Sequence, residues 1–163
     1  MKWATTEPSR GIYNFEQSNQ LVDWATSNGK MIRGHTFVWH NALPDWVQGI
    51  NDIQILREVI ANHVGAVAGT YKGKWDVVNE VLSDDGTLRD SVFSRVLGEE
   101  FIPLAFKATR DVDPNAIRYI NDYNLEFDGP KARAMVSLVN RINANDGGQL
   151  IQGIGSQTHL EVD

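Results

Sequence analysis

Stretches that read as strands alternate with stretches that read as helices along the whole chain, and this alternation restricts the fold more than any other feature. Residues 14–28 carry Phe15, Leu21, Val22, Trp24 and Ala25 at helical spacing, which places Trp24 in the core. Asn14 is positioned to cap that helix, with Gln17 three residues on, and Gly29 to stop it. Residues 30–36 then read as a short strand interrupted by Gly34. A longer helix is expected over 52–68, where Ile53, Leu56, Val59, Ile60, His63, Val64 and Val67 recur at helical spacing. Residues 74–79 form the next strand, a loop with Asp84, Asp85 and Gly86 follows, and helices cover 90–97 and 99–112. The pattern closes with a strand at 116–121, a helix at 130–145 that begins on Pro130, and a last strand over 150–157.

Strands separated by helices of this length imply an α/β fold, with a parallel sheet and helices packed outside it. Nothing in the chain marks a linker or a repeat, so residues 1–163 are one domain or part of one. The polar and aromatic clusters share an address. Residues 35–40, Asn79 with Glu80, residues 121–124, and residues 157–159 all fall where a strand is ending. That end carries the site in a (β/α) barrel, and also in a doubly wound open sheet. No Gly-rich phosphate loop follows any strand, which weakens the nucleotide-binding version.

Composition removes several classes of function. The net charge of -6 argues against nucleic acid as a partner, because phosphate binding needs clustered Lys and Arg. The absence of cysteine excludes disulfide frameworks, thiolate metal sites and Cys nucleophiles. No apolar run approaches the roughly 20 residues of a membrane span, so no membrane partner is expected. The first residues lack a signal-peptide core, so the chain either stays inside the cell or does not start at its natural N-terminus.

Glu80 is the sharpest candidate for chemistry. Partial burial after Val77 and Val78 would raise its pKa, and a protonated Glu can donate to a leaving oxygen. The residues alone leave a second reading open, a strand-end Glu that pairs with a surface Lys or caps the next helix. His35, Trp39 and His40 on one strand end, and Gln157 and His159 on another, favour a ligand site. Trp3, Trp39 and Trp46 are either flat platforms or core. The four histidines lack a metal-protease spacing, and Asp76 is placed to hold one of them in a single tautomer. Ser156 lacks the glycine pattern of a nucleophile elbow.

Five blocks in order are specific enough to name: GHTFVWH at 34–40, LPDW at 43–46, WDVVNE at 75–80, INDYNLE at 120–126 and GIGSQTHL at 153–160. With Met1-Lys2-Trp3 and Thr6-Glu7-Pro8, they resemble the family-10 glycoside hydrolases, chiefly endo-β-1,4-xylanases. The resemblance implies a (β/α)8 TIM barrel, here an incomplete one running from the end of strand 2 to strand 6. It implies Glu80 as acid/base, with Lys2, His35, Trp39, Asn79, Gln157 and His159 binding substrate. Tyr123 and Asn124 look like part of the aglycone side, the side of the leaving sugar. It further implies a retaining mechanism on xylan or xylo-oligosaccharides, no metal or cofactor, secretion, and a monomer when complete. The family's nucleophilic Glu is expected on the strand after Gln157-Thr158-His159, beyond Asp163; neither Glu126 nor Glu161 matches it. The isolated chain is therefore expected to be inactive, and a non-catalytic glycan-binding barrel fragment is the alternative reading.

Overall fold

The computed structural model describes residues 1–159, so Leu160 of the last block and Glu161 lie outside it. Its centre is one parallel sheet in which spatial order equals chain order: β1 (Arg33–Trp39), β2 (Lys74–Asn79), β3 (Ile117–Asp122) and β4 (Gly153–Ser156). Two helices, α1 (Trp3–Thr6) and α2 (Glu16–Ser27), precede β1. α3 (Asp45–Gln48) and α4 (Ile53–Thr70) join β1 to β2. α5 (Val92–Leu97), a 3-10 turn at Gly98–Glu100 and α6 (Phe101–Val112) join β2 to β3, and α7 (Pro130–Asn145) joins β3 to β4. Consecutive parallel strands joined by outer helices are the staves of a (β/α) barrel, here an arc of four.

The core forms where helix stripes meet the outer face of the sheet. Leu56, Val59, Ile60, Val64 and Val67 of α4 are all buried, and α4 packs on α6, which buries Ile102, Ala105 and Phe106. Asp52 starts α4, its Oδ1 accepting the Ile55 N–H at 2.9 Å. β2 is buried on both faces from Trp75 onward, as a central parallel strand must be. The glycine in β1 reflects a close approach. A Cβ on Gly34 would overlap the Trp75 ring, which stacks on Phe37 at 4.1 Å between centroids.

Several expectations are corrected. Trp24 is 61% exposed rather than core. α2 turns Ser18, Val22 and Ala25 inward, so Leu21 and Trp24, one turn apart, face out. Asn14 accepts the Glu16 N–H at 3.0 Å, but the N-cap itself is Phe15. β1 runs to Trp39 instead of stopping near residue 36, and β4 is only four residues long. Met1 and Lys2 form no strand, although Lys2 is extended. No described helix is long and apolar enough to cross a membrane.

Candidate active site

Glu80 is the first residue after β2 and has φ +55, a left-handed conformation that costs an L-residue about 1–2 kcal/mol. Its N–H donates to the Asn121 carbonyl at 2.8 Å. The side chain is then met by donors from three strand ends. Trp39 Nε1 donates to Oε2 at 2.9 Å, Gln157 Nε2 to Oε1 at 2.9 Å, and Asn79 Nδ2 to Oε1 at 3.3 Å. His40 Nε2 stands 4.0 Å from Oε2. Asn79 is buried and held from behind, its Oδ1 accepting from Asn121 Nδ2 at 2.8 Å. These two asparagines are register partners at the ends of β2 and β3.

The β4 side is a relay. Gln157 gives its amide N–H to Glu80, which leaves Oε1 to accept from His159 Nε2 at 3.0 Å. That contact assigns the proton of His159 to Nε2. Glu126 holds this turn in place by accepting from the Ser156 hydroxyl and from the Thr158 N–H.

The β1 side is anchored on Asp76, which is buried within β2. Asp76 Oδ2 lies 2.9 Å from His35 Nδ1, and Oδ1 accepts from Arg33 Nε at 2.7 Å. Asp76 does fix a histidine, as its place in the strand implied. His35 in turn lies against Trp39 at 5.8 Å between rings, and Lys2 Nζ stands 4.9 Å over the Trp39 ring. Lys2 is brought there by α1, whose Trp3 is core and not a platform. Trp3 stacks on His63 at 3.8 Å and donates to Glu7 Oε2 at 3.0 Å, while His63 Nδ1 meets the same oxygen at 2.9 Å. Trp46 is half-buried, edge-on to Trp3 at 6.5 Å. Lys2, His35, Trp39, Asn79, Gln157 and His159 thus join one connected cluster around Glu80, whereas Asn124 donates to Asp84 at 3.4 Å.

Ionisation departs from the sequence expectation. Burial pushes the Glu80 pKa up, but hydrogen bonds from Gln157 and Trp39, with His40 and Arg89 nearby, carry it below the ordinary value. His40 is pushed down by its burial and by Arg89, and its Nδ1 is buried without a hydrogen-bond partner among the described residues. Among the described residues no three His, Asp or Glu side chains converge as a metal ligand set.

A second cluster escaped the sequence reading. Arg89 reaches back to Glu80, and Lys131 is buried between Asp122 and the Tyr123 ring. Lys131 had a legible signal, since it shares the apolar stripe of α7 with Met135, Leu138 and Ile142. Arg89 had none, because its role depends on how a loop closes.

An arc of parallel barrel staves brings a carboxylate, amides and an indole together at the strand ends, where (β/α) barrels carry their sites. Comparison with known proteins gives the family. Residues 1–163 match the model of glycosyl hydrolase family 10, and the chain belongs to that family. It is 51% identical over 168 residues to endo-1,4-beta-xylanase 3 of Hypocrea jecorina, covering 98% of this chain and 47% of that protein. Xylanase 10B of Thermotoga petrophila, solved in complex with xylobiose, superposes with a TM-score of 0.92 at 38% identity, over 97% of this chain and 49% of that one. The intracellular xylanase of Thermoanaerobacterium saccharolyticum gives a TM-score of 0.91 at 35% identity, over 98% of this chain and 53% of that one. The chain spans about half the length of the relatives it matches.

Proposed function

We propose that the complete protein hydrolyses β-1,4-xylosidic bonds in xylan with retention of configuration, and that Glu80 is its acid/base. The observation that carries this is the convergence of Trp39, Asn79 and Gln157 on the Glu80 carboxyl group at the carboxyl end of a barrel strand. Known family members bind xylobiose and act as endo-xylanases, which supports xylan as the substrate.

In this mechanism protonated Glu80 donates to the glycosidic oxygen while a second carboxylate, about 5–5.5 Å away, attacks the anomeric carbon. Glu80 then takes a proton from the water that releases the sugar. The family resemblance puts the second carboxylate on the strand expected after β4, next to Gln157 and His159. Its negative charge also supplies what Glu80 lacks here, because a nearby like charge raises a carboxyl pKa. Lys2, His35 and Trp39 line the glycone side and Asn79 binds the sugar at the cleavage point. We further propose that the complete enzyme works outside the cell, as a monomer and without a cofactor. The 163-residue chain alone, carrying one carboxyl group of the pair, is not expected to turn over.

The test is Glu80→Gln in a chain completed to the length of its relatives. Xylan hydrolysis should fall by about 10²–10⁴-fold, the usual worth of general acid catalysis, while xylo-oligosaccharide binding persists. Hydrolysis at the wild-type rate would refute the assignment. Binding without hydrolysis in the completed wild type would favour a glycan-binding barrel instead.

A further inference from the structure

We infer that Arg89 is a positioning residue for Glu80, fixing the backbone turn that aims the carboxyl group and tying that turn to Tyr123 on the neighbouring strand end. The inference rests on the reading of Glu80 as acid/base and adds the part that holds it.

The loop after β2 doubles back on itself. Leu82 and Leu88 form an antiparallel bridge, Ser83 N–H donates to the Thr87 carbonyl at 2.8 Å, and Arg89 N–H donates to the Val81 carbonyl at 2.8 Å. Gly86, at φ +85, makes the reversal. Arg89 therefore arrives beside Glu80 although it is nine residues further along. Its guanidinium then grips the turn in three directions. Nε donates to the Glu80 carbonyl at 2.9 Å, while Nη2 donates to the Leu82 carbonyl at 2.8 Å and to the Tyr123 hydroxyl at 2.7 Å.

The N–H groups of the same turn are held from β3. Glu80 N–H meets the Asn121 carbonyl and Leu82 N–H meets Asp122 Oδ2 at 3.2 Å. Asp122 is wholly buried and is balanced by Lys131 Nζ at 2.9 Å, which also sits 3.4 Å over the Tyr123 ring. Residues 80–82 are thus clamped by carbonyl and by N–H, and the clamp imposes the left-handed conformation on Glu80. A planar fork fits three acceptors at fixed angles, and an ammonium group at that position would not. Arg89 also faces the Glu80 and His40 side chains, so its charge lowers both pKa values.

The experiment compares Arg89→Met and Arg89→Lys with wild type and Glu80→Gln in the completed chain. Arg89→Met should lower kcat by about 10²-fold, the scale of a 1 Å misplacement, with KM little changed. It should also move the basic limb of the pH profile to higher pH, since losing a cation raises the pKa of the acid. Arg89→Lys should keep the limb near its wild-type position and still lose kcat. A purely structural role would shift the unfolding midpoint and leave the limb in place. Wild-type kcat and an unmoved limb in Arg89→Met, beside an inactive Glu80→Gln, would overturn the positioning role alone. Equal turnover by wild type and Glu80→Gln would overturn the acid/base reading itself. A carbon-13 titration of the Glu80 carboxyl reads the Arg89 effect without turnover, and an unchanged pKa in Arg89→Met would also count against it.

Discussion

Three side chains donate into one carboxyl group at Glu80, and two of them, Gln157 and Trp39, with His40 and Arg89 nearby, outweigh burial and lower its pKa. Strand-end position and partial burial were legible in the sequence and suggested a raised pKa. The donors come from positions 39, 79 and 157, so their sum exists only after folding. Removing one reverses part of the effect. Gln157→Leu should raise the Glu80 pKa, because the lost hydrogen bond favoured the charged form. In the completed enzyme the basic limb of kcat/KM should move upward in pH, and a pH–rate profile checks it. Asn79, Gln157 and His159 were readable because each lies within a contiguous motif at a strand end. Arg89 was not, since a hairpin-like return in the loop brings it back.

Elements are positioned by contacts that periodicity does not encode. The helical pattern of α2 was read correctly, yet Trp24 faces solvent, because the spacing fixes a stripe without choosing which neighbours cover it. Gly34 illustrates the reverse: its interruption of β1 is a demand from Trp75. Gly34→Ala should destabilise the fold by about 1–3 kcal/mol through overpacking, read as a lower denaturation midpoint. α1 is held by the buried Glu7–His63–Trp3 contact, and burial pushes the His63 pKa below 6.5. A depressed histidine binds its proton more weakly when folded than when unfolded. Its contribution is therefore complete above pH 6.5 and is lost as pH falls below that value. Denaturant unfolding between about pH 7 and pH 5 should show stability falling in wild type, with a shallower slope in His63→Leu.

At the scale of the molecule, alternation foretold a parallel sheet, and the motif order foretold which arc of a barrel it would be. β1 and β4 each pair on one side only among the described residues, which leaves two strand edges open. The isolated chain should therefore associate in a concentration-dependent way, whereas a chain completed to the length of its relatives should be monodisperse. Size-exclusion chromatography with light scattering distinguishes the two outcomes.

The hydrogen bond between Gln157 and Glu80 spans strands that are not neighbours, since β3 lies between β2 and β4. Such strands stand about 10 Å apart in a sheet, a span that two long side chains cross only by reaching toward each other over β3. The 2.9 Å bond therefore reports how closely the ends of β2 and β4 are held. A perturbation that spreads these strand ends should disconnect the acid before a helix melts. In the completed enzyme, turnover should vanish at a lower denaturant concentration than the far-ultraviolet signal does.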